Sequence, residues 1–341
     1  ATGSNAFTIT VTGKNDAATI SGTSTGSVTE DVAAVGGKLL SGGTLSVSDA
    51  DAGQSYFEAQ SSMSGRYGTF AITSAGGWTY EANNGSTAIQ SLGADQSVAD
   101  SFVVKSADGS ASQTVTVTIR GTNDAPVIQQ AAQSATVTED GVLSVTGGFT
   151  STDADTINGA AWAGSQTGTY GRFTVNASTG AWRYDLDNDA QQSLSAGESH
   201  VETFAVTVTD DKGATDTEVV SITVAGANDA PVATYTASVA VNEDAVLSGQ
   251  LTSTDADGVK TASYALSGGP VAGLNIGNSG AWTFDAGHVA YQSLGEGVTQ
   301  QVTVNYRVTD DRGATGSNAF TITVTGKNDA ASISGTSTGS V

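Results

Sequence analysis

The chain has no cysteine, three prolines, two histidines and one methionine among 341 residues. Without cysteine there is no disulfide framework and no thiolate zinc site. Basic residues are scarce as well: 12 Lys and Arg stand against 34 Asp and Glu, a net charge of −22. A nucleic-acid binder needs a basic face to displace counterions from phosphates, so that class is excluded. Anionic lipid surfaces are disfavoured on the same ground. No apolar run approaches the ~20 residues of a spanning helix, so direct membrane insertion is not expected. Few prolines suit unbroken strand ladders. Glycine is abundant, 43 residues, but does not recur at every third position, which excludes collagen. Hydrophobic residues make up 38 % and fall in regular patterns, which argues against disorder.

What is present is repetition. Asn-Asp-Ala occurs at Asn15, Asn123, Asn228 and Asn328. Each interval then carries the same punctuation in the same order. A Glu-Asp pair comes first, at Glu30, Glu139 and Glu243. Asp-Ala-Asp follows at Asp49 and Asp51, Asp153 and Asp155, and Asp255 and Asp257. Gly-X-Trp ends at Trp78, Trp182 and Trp282, and Gln-Ser-Leu begins at Gln90, Gln192 and Gln292. An acidic loop ending in Gly closes each interval, at Asp108, Asp210 and Asp310. Residues 1–28 recur as 314–341 with one change, Thr19 to Ser332. The expected organisation is a window on a longer array. Residues 1–14 would be the last strand of a preceding repeat, and 15–122, 123–227 and 228–327 three β-sandwich repeats. Residues 328–341 would begin a following one.

Strand patterns dominate. Phe7–Val11, Val115–Ile119 and Phe204–Val208 alternate apolar residues with Thr or a small residue, the period of a half-buried strand. No stretch shows a convincing helical stripe. About seven short strands per ~100 residues read as an all-β fold of tandem immunoglobulin-like Greek-key sandwiches. In the second unit strands are expected near 134–138, 142–150, 160–166, 170–176, 181–186, 202–209 and 217–225. Trp78, Trp182 and Trp282 each precede an aromatic by two residues (Tyr80, Tyr184, Phe284), which places both rings on one strand face and reads as core. Trp162 has no such counterpart. With Tyr235 it is the candidate for an exposed, ligand-facing aromatic.

The acidic positions ask for a counter-charge. In an extended segment residues i and i+2 face the same way, so the two carboxylates of each Asp-Ala-Asp converge. Two like charges ~4 Å apart cost about 4 kcal/mol at an effective dielectric near 20. The sequence supplies few Lys or Arg to offset this. Ca²⁺ takes 6–8 hard oxygens in flexible geometry and is the natural cofactor. Zinc would want His or Cys. No catalytic constellation is visible: His200 and His288 occupy unrelated slots, and paired carboxylates that recur in every unit suit a structural ion.

The order Asn-Asp-Ala-Pro, Glu-Asp, Ser-Thr-Asp-Ala-Asp, Thr-Asp-Asp-X-Gly resembles cadherin-type repeats. The Gly-X-Trp and Gln-Ser-Leu elements are similar to bacterial VCBS repeats and to extender domains of large RTX-type adhesins. The resemblance implies a cadherin-like rod with Ca²⁺ between successive units. Carried over by position, it implies Asn123, Asp124, Glu139, Asp153, Asp155 and Asp210 at the junction of units one and two. The next would use Asn228, Asp229, Glu243, Asp255, Asp257 and Asp310. The first would use Asn15, Asp16, Glu30, Asp49, Asp51 and Asp108, and Asn328 with Asp329 would stand without partners. The expected function is an extracellular, bacterial, Ca²⁺-rigidified spacer, its partners being adjacent repeats and copies of itself in a filament or matrix. The alternative is an adhesive module whose units bind a glycan or protein.

Overall fold

The alternating segments pair into β-sandwiches in a computed structural model that describes residues 2–155, 160–258, 262–335 and 337. In the second unit one sheet runs Gln133–Thr138, Thr215–Ala225, Ser199–Thr209, Ala161–Ala163. The other runs Ser144–Gly148, Ala181–Leu186, Gly171–Val175, Gln166–Thr167. All neighbours are antiparallel except the first pair: Gln133–Thr138 lies parallel to Thr215–Ala225, with Val137 opposite Val224. A two-residue ladder, Val127–Ile128 with Ser151–Thr152, fastens the incoming chain to the top of the unit. The third unit repeats this plan, again with a parallel first and last strand, Ser238–Asn242 and Thr315–Thr325. In the first unit the parallel pair is Thr25–Thr29 with Ser112–Arg120. The strands of unit two expected from periodicity all form, with ends shifted by up to three residues. The short pairs at Val127, Ser151 and Gln166 were not legible, since two residues show no period.

Each unit has its own core, and the buried clusters share no residue. Trp78, Trp182 and Trp282 sit in these cores at 1 %, 4 % and 2 % exposure. Trp162 does too, at 6 %, stacked on Phe149 with ring centroids 6.5 Å apart. It therefore has counterparts after all. The amides of Phe57, Trp162 and Tyr264 donate to Ser74 O, Ala177 O and Asn278 O in the same hairpin position. The slot is aromatic in every unit, but the aromatic differs, which hid the repeat. Gly180, at φ +69°, fits beneath this ring, and a Cβ there would meet Phe149 O at 2.5 Å and Trp162 Cε2 at 2.8 Å. Tyr235 packs edge-on against Trp282 and Phe320.

The strand expected at Phe7–Val11 does not form. Phe7, Ile9 and Val11 are 82 %, 72 % and 87 % exposed. Their sequence copies Phe320, Ile322 and Val324 are buried in Thr315–Thr325. The same residues become a strand only where a sheet receives them. Residues 1, 336 and 338–341 of the two outer segments lie outside the described residues.

Candidate metal centre at the inter-unit joints

The linker and the Asp-Ala-Asp loop form one hydrogen-bonded network, built three times. At the joint of units one and two, the Asp155 N–H donates to Asp153 Oδ1 at 3.0 Å, winding the loop around its own first side chain. The Asp124 N–H donates to Asp155 Oδ2 at 2.9 Å. Asn123 Nδ2 donates to Asp210 Oδ2 at 2.8 Å and to Asp124 O at 2.9 Å. At the next joint Asp257, Asp255, Asp229, Asn228 and Asp310 make the same four contacts. At the first linker Asp51, Asp49, Asp16, Asn15 and Asp108 make them again. Asn328 and Asp329 are exposed, and no Asp-X-Asp loop receives them among the described residues.

The glutamates are placed one joint away from where the sequence put them. Glu30 lies at the foot of its own unit, and its Oε1 accepts the Thr122 N–H at 2.8 Å, directly before Asn123. Glu139 likewise accepts from Ala227, and Glu243 from Lys327 at 2.9 Å. Glu30 thus joins Asp124 and Asp155, and Glu139 joins Asp229 and Asp257. The cause is the parallel pairing of first and last strands. A strand of about 3.3 Å per residue carries the chain from the incoming linker to the far end before the Glu-Asp pair is reached.

The residues that sequence reasoning missed are the second members of those pairs. Asp31 and Asp124 bring their carboxyl groups within hydrogen-bonding reach of one another, as do Asp140 and Asp229. Asn84 and Gln90 hold Asp31 from behind, and Asn188 and Gln192 hold Asp140. The available signal was the Gln of Gln-Ser-Leu, repeated at a fixed place with no apolar role. Asp95, in the loop that follows Gln90-Ser91-Leu92 of unit one, accepts from Lys212 Nζ of unit two at 3.5 Å. The matching Arg312 donates across the next joint to Ala196 O at 2.6 Å. Such an exposed pair contributes about 0–1 kcal/mol and does not balance the cluster.

The electrostatics record that imbalance. Burial pushes Glu30 from its ordinary 4.5 up to about 7, and the carboxylates of Asp124, Asp31 and Asp155 add to the push against the Thr122 N–H. Burial also raises Asp124, Asp153, Glu139, Asp229 and Asp255, each with neighbouring carboxylates contributing. Asp140 is held low by its bonds from Asn188 and Gln192. Asp108 is held low by Asn15 and Ser106. At the joint of units one and two, Glu30 Oε2, Asp124 Oδ2, Asp153 Oδ2 and Asp155 Oδ1 are buried without a hydrogen-bond donor. Asp229 Oδ2 and Asp257 Oδ1 are in the same condition at the next, as are Asp49 Oδ2 and Glu243 Oε1 at the ends. A buried, unpaired acceptor ordinarily costs about 1–3 kcal/mol, more when charged. All are hard oxygens with free lone pairs, the donor set that suits Ca²⁺. Among the described residues no three acidic or histidine side chains are already closed to coordination distance. The fit therefore rests on orphaned oxygens that must draw together.

End-to-end sandwiches with acidic joints define a cadherin-like tandem. Solved structures agree on the fold. Mouse cadherin-23 EC22-24 matches at 16 % identity over 92 % of this chain and 100 % of that one, with a TM-score of 0.52. The extracellular cadherin domains 1-5 of protocadherin gamma B2 match at 12 % identity over 93 % and 61 %, with a TM-score of 0.54. The bacterial cadherin-like domain profile matches residues 15–121 and 123–226, and the bacterial Ig domain profile matches 228–325. The first covers more than half of the chain, which therefore belongs to the bacterial cadherin-like family. No curated protein matches it. Cadherin-like and Ig-like domains are structural or adhesive and suggest an extracellular or surface location. No helix among the described residues is long and apolar enough to cross a membrane.

Proposed function

We propose that the chain is a spacer segment of a large extracellular bacterial adhesin or matrix protein, a rod of sandwich units whose joints are stiffened by Ca²⁺. The observation that carries this reading is the set of buried carboxylate oxygens, from two successive units, that face one another without a donor. Glu30, Asp124, Asp153 and Asp155 would hold the ion at the first full joint, with Asn123 fixing Asp210 beside them. Glu139, Asp229, Asp255 and Asp257 would do so at the second, beside Asn228 and Asp310. Asn15, Asp16, Asp49, Asp51 and Asp108 form a half-site at one end. Glu243, with Asn328 and Asp329 just beyond it, is the complementary half at the other. When bound, Ca²⁺ supplies the positive charge that these carboxylates lack. Without it, each joint is a short linker between like-charged surfaces, and repulsion opens it.

The reading in which the units themselves grip a glycan, a protein or one another in a filament loses its two aromatic candidates to the core, Trp162 fully and Tyr235 in part. The deciding experiment is small-angle scattering and thermal melting with about 5 mM Ca²⁺, above the ~10⁻⁴–10⁻³ M typical of extracellular modules, and again with excess chelator. A higher Tm and a stiffer scattering profile in Ca²⁺ are expected. If neither moves, the acidic loops are solvated turns and the spacer has no stiffening mechanism.

A further inference from the structure

Asp31 is the residue after the buried Glu30, and it adopts φ +54°. Asp140 and Asp244 occupy the same place at φ +51° and +66°. Three non-glycine residues in the left-handed region, at one slot, are a costly choice unless the slot aims something. The Asp31 N–H donates to Asn84 Oδ1 at 2.9 Å, and Asn84 Nδ2 returns a bond to Asp31 Oδ1 at 2.6 Å. Gln90 Nε2 reaches the same Oδ1 at 3.2 Å. Both donors take one oxygen, and the carboxyl group meets Asp124 across the joint. In unit two Asn188 and Gln192 grip Asp140 Oδ1 at 2.7 Å and 3.2 Å, facing Asp229. In unit three Gln292 keeps its bond to Asp244 at 3.1 Å, while His288 stands in the asparagine slot.

An arrangement that brings two carboxylates together, with amide donors on Asp31 Oδ1 and none on Asp124 Oδ2, repels an anion. It favours a cation in the gap. The adjacent Glu30 has no exposed surface and its Oε2 lacks a donor, so the gap has a second, independent acceptor aimed into it. We propose that the aspartate of each Glu-Asp pair is a ligand of the joint cation, and that the Asn and Gln behind it are positioning residues. The inference rests on the calcium reading above and assigns to it residues outside the linker, the glutamate and the Asp-X-Asp loop. The clamp fixes one oxygen and presents the other. It also makes the joints unequal, because the clamp at Asp244 lacks its asparagine.

The test is calorimetric titration of the whole chain with Ca²⁺, paired with melting in chelator. Asp31→Asn keeps the size of the side chain and a residue that tolerates positive φ, but removes the charge. Its Ca²⁺ affinity at one joint should fall about tenfold or more, while the metal-free Tm stays or rises because a repelling charge has gone. Gln90→Met keeps length and removes the donor. About a tenfold loss of affinity, with an unchanged Tm in chelator, is expected of a positioning residue. A residue needed only for the turn would lower the Tm equally with and without metal. That result, or wild-type affinity in Asp31→Asn while the parent chain binds Ca²⁺, overturns this inference alone. A parent chain that binds no Ca²⁺ overturns the calcium reading with it.

Discussion

Without metal, Glu30 holds a proton more tightly folded than unfolded. Its affinity is raised from 4.5 to about 7, so the folded state binds more protons between those values. Stability from this group is fully present below pH 4.5 and is lost as pH rises through about 7. The melting temperature in chelator should therefore fall across that window. With saturating Ca²⁺ the fall should vanish, since the cation takes the proton's place. A chelated protein with a flat profile from pH 4.5 to 7 would contradict the crowding of carboxylates around Glu30. A second residue-scale outcome concerns Gly180. Ala there would force a Cβ at positive φ into Phe149 O and the Trp162 ring, and should cost about 1–3 kcal/mol by urea denaturation. At this scale the pairing within each Asp-Ala-Asp was legible, but its cause is a bend closed by the second Asp N–H on the first Asp Oδ1, not the extended backbone expected. The joint that each glutamate serves was not, because it depends on strand direction. Asp31, Asp140 and Asp244 went unread because the repeated Gln was the only trace of a clamp that folds back from 48 to 59 residues away.

Two identical segments test what makes a strand. Thr2–Thr12 and Thr315–Thr325 have one sequence, yet only the second is paired, to Thr299–Thr309 on one side and Ser238–Asn242 on the other. Alternation specifies which face a strand would bury, not whether a partner is there to bury it. Deleting residues 2–14 should change the unfolding free energy by less than about 0.5 kcal/mol, since nothing packs on their apolar side chains. Phe320→Ala, at the same place in the pattern, should cost about 3–5 kcal/mol. Denaturant titration in chelator compares the two without the joints intervening. Equal effects would mean that the amino-terminal segment is docked. The longer strands were readable from their period, and the aromatic slot of Phe57, Trp162 and Tyr264 was obscured by its changing ring.

Across the whole molecule, three separate cores meet at joints lined by buried carboxylates without donors. Cooperation between units must come through those joints, by the linkers and by contacts such as Lys212 with Asp95 and Arg312 with Ala196 O. In chelator the chain should melt in more than one step, and in Ca²⁺ the steps should draw together at higher temperature, by differential scanning calorimetry. Raising NaCl should recover part of the chelated Tm, because a Debye length of about 10 Å at 0.1 M shortens to about 3 Å at 1 M.

The parallel pairing of first and last strands also decides how each unit meets tension. A pull along the rod enters through the first strand and leaves through the last. In unit two, past the two-residue ladder at Val127–Ile128, these are Gln133–Thr138 and Thr215–Ala225, neighbours that run the same way. Force then slides one strand along the other and loads all of their ladder bonds together, where an antiparallel pair pulled from one end would unzip them singly. The spacer proposed above would be under this kind of load whenever its two ends are drawn apart. Each unit is built to yield late and as a whole, and the joints to give first when their charge is unbalanced.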